Sequence, residues 1–171
     1  TGREFNNYSI KYFLHPLPNL IFTRDIAAII GNTAILTWGR RTVRRRENLI
    51  AKYIFNYHPL FKSIGKYDFH KHHPNLSLEG GDIIVFDKEN ICIGLSERTS
   101  KETINAILPL IFSQGFKKVF ALDLPKQRSI MHLDTIFNRI NKNEVIIYPQ
   151  IFNSKNKIDT YIISYNQTFE E

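Results

Sequence analysis

The feature that most constrains this chain is an order of elements that recurs along it: apolar strand, tight turn, apolar strand, amphipathic helix, strand. Ile26 to Ile30 and Thr33 to Trp38 flank Gly31-Asn32, residue types that accept the positive φ of a two-residue hairpin. A helix is predicted from Arg44 to Phe55, with Leu49, Ile50, Tyr53 and Ile54 as its apolar face, and a short strand near Tyr67-Asp68-Phe69. The same order returns in Asp82 to Phe86, a polar turn at Asp87 to Asn90, and Ile91 to Leu95. The second helix carries capping-box spacing at Thr99 and Glu102 and a stripe of Ile104, Ile107, Leu108, Ile111 and Phe112 that stops near Gly115. Pro109 lies within that stripe and predicts a kink or an early helix end. Lys118 to Leu122 supplies the closing strand, and a third hairpin runs from His132 through Asn141-Lys142-Asn143 to Tyr148.

This order predicts a mixed α/β (α+β) chain of ββαβ units in one partial domain, about two and a half units long, with intervals of about 55 residues that suggest a propeller-like array. The units fall at about 17–75, 76–125 and 126–150, and 151–171 reads as a weakly patterned end. Asp25, Asp82 and Asp134 each stand near the start of a hairpin. A closed ring points equivalent strand starts at one axis, so these three acids are expected to meet.

Composition narrows the class. At 171 residues and 43% hydrophobic content the chain can bury one sizeable core. The net charge of +7 raises the question of an anionic partner, but charge speaks to association, not to a site. Arg40, Arg41, Arg44, Arg45 and Arg46 form the densest basic cluster; with no interleaved aromatic stacking pattern, its usual reading is a solvated helix start and not a nucleic-acid surface, and an arginine reaching inward to a substrate carboxylate is the more specific option. A single cysteine, Cys92, excludes an internal disulfide and predicts a reducing, cytoplasmic setting. The apolar runs fall short of a membrane helix, and no membrane role is expected. His70, His72 and His73 read as surface residues in a Lys- and Pro-containing loop, so no metal is expected there, and Cys92 between Ile91 and Ile93 reads as a small buried hydrophobe.

The chemistry lies in two short segments, Glu79-Gly80-Gly81-Asp82 and Met131-His132-Leu133-Asp134-Thr135. Carboxylates accept the parallel hydrogen bonds that a guanidinium fork donates, so Asp25, Asp82 and Asp134 suit a guanidinium or ammonium ligand. One isolated Asp at a strand-to-turn boundary more often caps backbone amides, and the threefold recurrence weighs against that reading. His132 and Asp134, two apart, share a face of an extended segment, where a carboxylate raises the imidazole pKa and keeps a proton on it; Glu79 is a second candidate partner. Gly80-Gly81 is either a plain turn or room for a ligand to approach the backbone.

Taken together and in order, Pro18-Asn19 with Phe22-Thr23-Arg24-Asp25, Arg44 with Arg46-Glu47, Leu78-Glu79-Gly80-Gly81-Asp82, Gly94-Leu95-Ser96-Glu97-Arg98-Thr99 and Met131-His132-Leu133-Asp134-Thr135 resemble the arginine deiminase family. The Glu-Gly-Gly-Asp element alone is shared with agmatine deiminases and dimethylarginine hydrolases. The resemblance covers about Leu17 to Tyr148 and implies a pseudo-fivefold α/β propeller that hydrolyses L-arginine to L-citrulline and ammonia without cofactor or metal. It implies that Asp25 and Asp134 grip the guanidinium and that Glu79 and His132 transfer protons. Asn19, Phe22, Arg44, Asp82 and Arg98 then contact the rest of the arginine, Arg44 and Arg98 at its α-carboxylate. The family's mechanism adds a cysteine thiolate that attacks the guanidinium carbon. Cys92 matches neither its position nor its context, so the chain is expected to be a truncated central portion, inactive alone, of pseudogene, fragment or split origin. A separate C-terminal piece or a homo-oligomer is the expected partner. The alternatives are a non-catalytic guanidine-binding module and another guanidine-modifying hydrolase.

Overall fold

The fold, a computed structural model, is described for residues 16–17, 19–153 and 157–165; Pro18 and the segments 154–156 and 166–171 of the weakly patterned end lie outside the described residues. Among these residues it is mixed α/β, with three sheets. β1 (Ala27–Ile30) and β2 (Thr33–Leu36) form an antiparallel hairpin, and β3 (Gly65–Asp68) joins β2 in parallel. The hairpin turns at Gly31, whose φ of 56° is the left-handed conformation expected there. The second sheet repeats this pairing: β4 (Ile83–Val85) is antiparallel to β5 (Asn90–Leu95), and β6 (Lys118–Asp123) is parallel to β5. β7 (Phe137–Arg139) and β8 (Val145–Ile147) make the third hairpin.

The end of the chain departs from its weak pattern. β9 (Thr160–Ser164) pairs antiparallel with β6 and buries Ile163. Its apolar residues Tyr161, Ile162 and Ile163 are too few to stand out by periodicity. Main-chain pairing with an already formed edge supplies what the side chains do not.

Helix α1 (Arg45–Tyr57) has the expected span but the opposite face inward. Leu49, Tyr53 and Ile54 are exposed, whereas Glu47, Asn48 and Ala51 are buried. Polar tethers fix this rotation: Asn48 accepts from the Gly39 amide at 3.1 Å and donates to Thr37 Oγ1 at 3.0 Å, and Glu47 takes Arg44 Nε at 2.5 Å. Leaving a buried polar group unpartnered costs about 1–3 kcal/mol, comparable to what turning one apolar side chain inward contributes.

After the four-residue helix α2 (Phe69–His72), α3 (Lys101–Ser113) is capped by Ser100, which accepts from the Thr103 amide, and not by Thr99. The helix continues through Pro109 without the early end that the sequence suggests. An interior proline costs about 3 kcal/mol, but each fully buried apolar side chain contributes about 1.5–3 kcal/mol, and Ile104, Ile107, Leu108 and Ile111 are all buried. α3 packs in the main core with Ile30, Ile35, Phe69, Leu78, Ile91 and Ile93. A smaller cluster of Ile84, Cys92, Leu124, Ile130, Leu133 and Ile136 lies under the third hairpin. The acids ride on three 3-10 turns: Thr23–Ile26, Gly80–Asp82 and Leu133–Thr135. His70 and His73 are less peripheral than expected, since His70 stacks on Trp38 at 3.9 Å and His73 Nε2 lies 2.8 Å from the Tyr67 hydroxyl. No helix among the described residues is long and apolar enough to cross a membrane.

Candidate active site

Those three turns are brought together because Gly80 and Gly81 have no side chains. A Cβ at Gly80 would stand 2.2 Å from the Arg24 carbonyl oxygen, and one at Gly81 would stand 2.7 Å from Asp25 Oδ1, 2.9 Å from His132 Nδ1 and 3.0 Å from Asp134 Oδ2. The glycine pair is therefore both a point of close backbone approach and the space in which the charged groups converge.

Across the floor of the site runs a row of alternating charges. Glu47 Oε2 takes Arg44 Nε; Arg44 Nη1 donates to Asp25 Oδ2 at 2.9 Å; Asp25 Oδ1 faces His132 Nδ1 at 3.4 Å; His132 Nε2 meets Glu79 Oε2 at 2.6 Å; Glu79 Oε1 accepts from Arg98 Nη1 at 3.1 Å. Glu79 Oε1 also accepts from the Arg40 amide at 3.0 Å. Asp134 Oδ1 lies 4.0 Å from His132 Nδ1, and its Oδ2 lies 3.7 Å from Arg24 Nε.

Burial opposes a charge on His132, but the hydrogen bond to Glu79 and the charges of Asp82, Asp25 and Glu79 outweigh it and hold the imidazole pKa above its ordinary value. For Glu79, burial is outweighed by the His132 hydrogen bond and charge, Arg98 and the Arg40 amide, which hold its carboxyl below the usual range. Asp134 moves the other way: burial raises its carboxyl against the pull of His132 and Arg24. The Glu79–His132 pair is thus shifted toward its charged form on both sides.

These groups open onto a cavity of about 900 Å³ lined by Asp25, Glu79, His132, Asp134, Arg44 and Arg98, with Asn19 and Phe22 on its wall. Eight of the nine site residues anticipated from the sequence therefore face one space. The ninth, Asp82, does not line it. Its carboxylate is fully buried and accepts from the Ser96 and Thr99 hydroxyls and the Leu133 amide, none of which lines the cavity. Burial pushes its carboxyl up to about 6, against the pull of His132 and its three donors. Arg44 and Arg98 line the cavity but already hold Asp25, Glu47 and Glu79. The sequence reading missed Arg24, Arg41, Glu97 and Arg128, which also line the cavity. The dense run from Arg40 to Arg46 offered a signal for Arg41, but nothing in composition separates an inward arginine from a solvated one.

Cys92 lies on β5 within the smaller core, where burial and then the charge of Asp87 push its thiol up to about 11. It is not among the cavity-lining residues.

The family model described as arginine deiminase matches residues 3–171. An arginine deiminase of Staphylococcus haemolyticus is 35% identical over 171 residues, covering 98% of this chain and 42% of the relative. One from Listeria monocytogenes serotype 4a is 37% identical over 162 residues, covering 94% of this chain and 40% of the relative. The chain thus spans about two fifths of the length of the relatives it matches. Among solved structures, the N-terminal domain of ArgZ, a cyanobacterial arginine dihydrolase bound to product, aligns with a TM-score of 0.65 at 20% identity, covering 84% of this chain and 49% of that one. DDAH from Pseudomonas aeruginosa complexed with citrulline aligns with a TM-score of 0.58 at 19% identity, covering 81% and 51%. The structural likenesses speak to the fold alone, while the family match spans nearly every residue: this chain belongs to the arginine deiminase family.

Proposed function

We propose that this chain forms the guanidinium-binding and proton-transfer part of an arginine deiminase site. The observation that carries the reading is His132, held between Glu79 and Asp25 in a buried row of alternating charges at the floor of a large cavity. Asp25 and Asp134 grip the planar cation of L-arginine, and Asn19, Phe22, Arg44 and Arg98 stand along the rest of the substrate. The ββαβ units are set around a common axis, as in a pseudo-fivefold α/β propeller; the identical pairing order of the first two sheets supports this.

The reaction divides into two steps. A thiolate adds to the guanidinium carbon, and His132 protonates the departing nitrogen, so that ammonia leaves and an S-alkylthiouronium remains. Water then adds to that carbon, giving up one proton to the His132–Glu79 pair, and as the C–S bond breaks the remaining hydroxyl proton passes to solvent, where it is balanced by protonation of the released ammonia, leaving citrulline and the thiolate. Cys92 is not that thiol, since it is buried, holds its proton and lies outside the cavity lining. The nucleophile comes from outside these 171 residues.

The purified chain is expected to bind arginine saturably, to lose that binding with Asp134→Ala, and to form citrulline only when a cysteine-bearing C-terminal segment of a relative is added. Citrulline formation by the chain alone that survives Cys92→Ser overturns the division of labour. Arginine binding with no turnover on complementation indicates a non-catalytic guanidine-binding module.

A further inference from the structure

Asp82 is the one anticipated acid that does not line the cavity, and the partners that hydrogen-bond its carboxylate, Leu133, Ser96 and Thr99, do not line it either. Oδ1 accepts from the Leu133 amide at 3.0 Å, and Oδ2 accepts from the Ser96 and Thr99 hydroxyls, each at 2.7 Å. Three segments distant in sequence meet on this group. Asp82 itself ends the 3-10 turn that follows Glu79; Ser96 and Thr99 bracket Arg98; Leu133 lies between His132 and Asp134. Gly94 provides the room, since a Cβ there would stand 2.6 Å from Asp82 Oδ1.

We propose that Asp82 is a positioning residue that fixes Glu79, Arg98 and His132 relative to one another by hydrogen-bonding the loops that carry them, without touching the substrate. Its partners suit a carboxyl in either protonation state. A hydroxyl donates or accepts, so a proton on Oδ2 is accommodated by turning Thr99, while Ser96 keeps donating and the Leu133 amide stays on Oδ1. Asparagine keeps most of the set, with its carbonyl on the Leu133 amide and its NH₂ donating to Thr99 Oγ1; Ser96 Oγ already accepts from the Arg98 and Thr99 amides. Alanine reproduces none of it and leaves the amide and both hydroxyls in a buried site without an acceptor.

The test compares the native chain with Asp82→Asn and Asp82→Ala by hydrogen exchange of the Leu133 amide and by arginine titration. Asp82→Asn is expected to keep Leu133 protected and arginine affinity within about threefold, whereas Asp82→Ala lowers both by about tenfold or more. Asp82→Asn that weakens arginine binding as much as alanine does, with Leu133 protection unchanged in both, shows a carboxylate that contacts the ligand and overturns the proposal. If Asp82→Ala does not fold, Ser96→Ala and Thr99→Val replace it: faster Leu133 exchange supports the proposal, and unchanged exchange in both overturns it. The titration arm rests on the arginine-binding reading. The exchange arm needs no ligand, so failure of the native chain to bind arginine sinks that reading alone.

Discussion

His132 Nε2 lies 2.6 Å from Glu79 Oε2, a buried pair whose members are 53 residues apart in the chain. Because the charged forms are the ones that hydrogen-bond, each partner shifts the other toward ionisation. Glu79→Gln is therefore expected to lower the His132 pKa, read from an imidazole NMR titration against the native chain. An unchanged titration would mean that Asp25 and Asp82 supply the whole shift.

The same pair gives the stability a pH dependence of definite sign. The folded-state pKa of His132 is raised above its ordinary 6.5, so the stabilisation it contributes is fully present below that value. It is lost as pH rises through the folded pKa. Thermal unfolding followed upward from pH 6 should show this decline, and His132→Gln should flatten that part of the profile.

Asp134 is the more exposed of the two carboxylates proposed to grip the guanidinium, with side-chain accessibility of 20% against 10% for Asp25, and its neighbour Arg24 is 3.7 Å away. Hydrogen bonds to charged groups contribute about 1.5–3 kcal/mol, so Asp134→Asn should weaken arginine binding by about tenfold or more with little change in unfolding temperature. Titration calorimetry checks the affinity and scanning calorimetry the unfolding temperature. A variant that unfolds early instead would assign Asp134 to the fold.

Gly80→Ala and Gly81→Ala should part company. At Gly80 the new methyl meets main-chain carbonyl oxygens at 2.2 and 2.9 Å, and overpacking of this kind costs about 1–3 kcal/mol or more, visible as a lower denaturation midpoint. At Gly81 it meets only side-chain ends of Asp25, His132 and Asp134, so the larger loss should appear in arginine affinity.

Cys92 should be inert in the folded chain. With its thiol buried and pushed up to about 11, an aromatic disulfide reagent at pH 8 should label it only on unfolding. Rapid labelling of the native chain would contradict the packing of β5. Cys92→Ser should leave arginine binding unchanged.

Much of this protein is set by local pattern. Gly31-Asn32 dictates the first hairpin, the stripe from Ile104 to Ile111 dictates α3, and the ordered acidic motifs name the family before any atom is placed. Three features were decided only by tertiary structure. The rotation of α1 follows from buried tethers at Glu47 and Asn48, which outcompete a helical apolar stripe that is clear in sequence. β9 exists because β6 offers an edge, not because its own residues alternate. The partition of the acids is the third. Asp25, Asp82 and Asp134 look alike in sequence, each at the start of a hairpin, yet Asp25 and Asp134 face the cavity while Asp82 turns to Ser96, Thr99 and Leu133. Sequence specifies that a carboxylate stands at a turn. Which way it faces depends on where distant loops place their donors, because a buried charge goes where its hydrogen bonds can be completed.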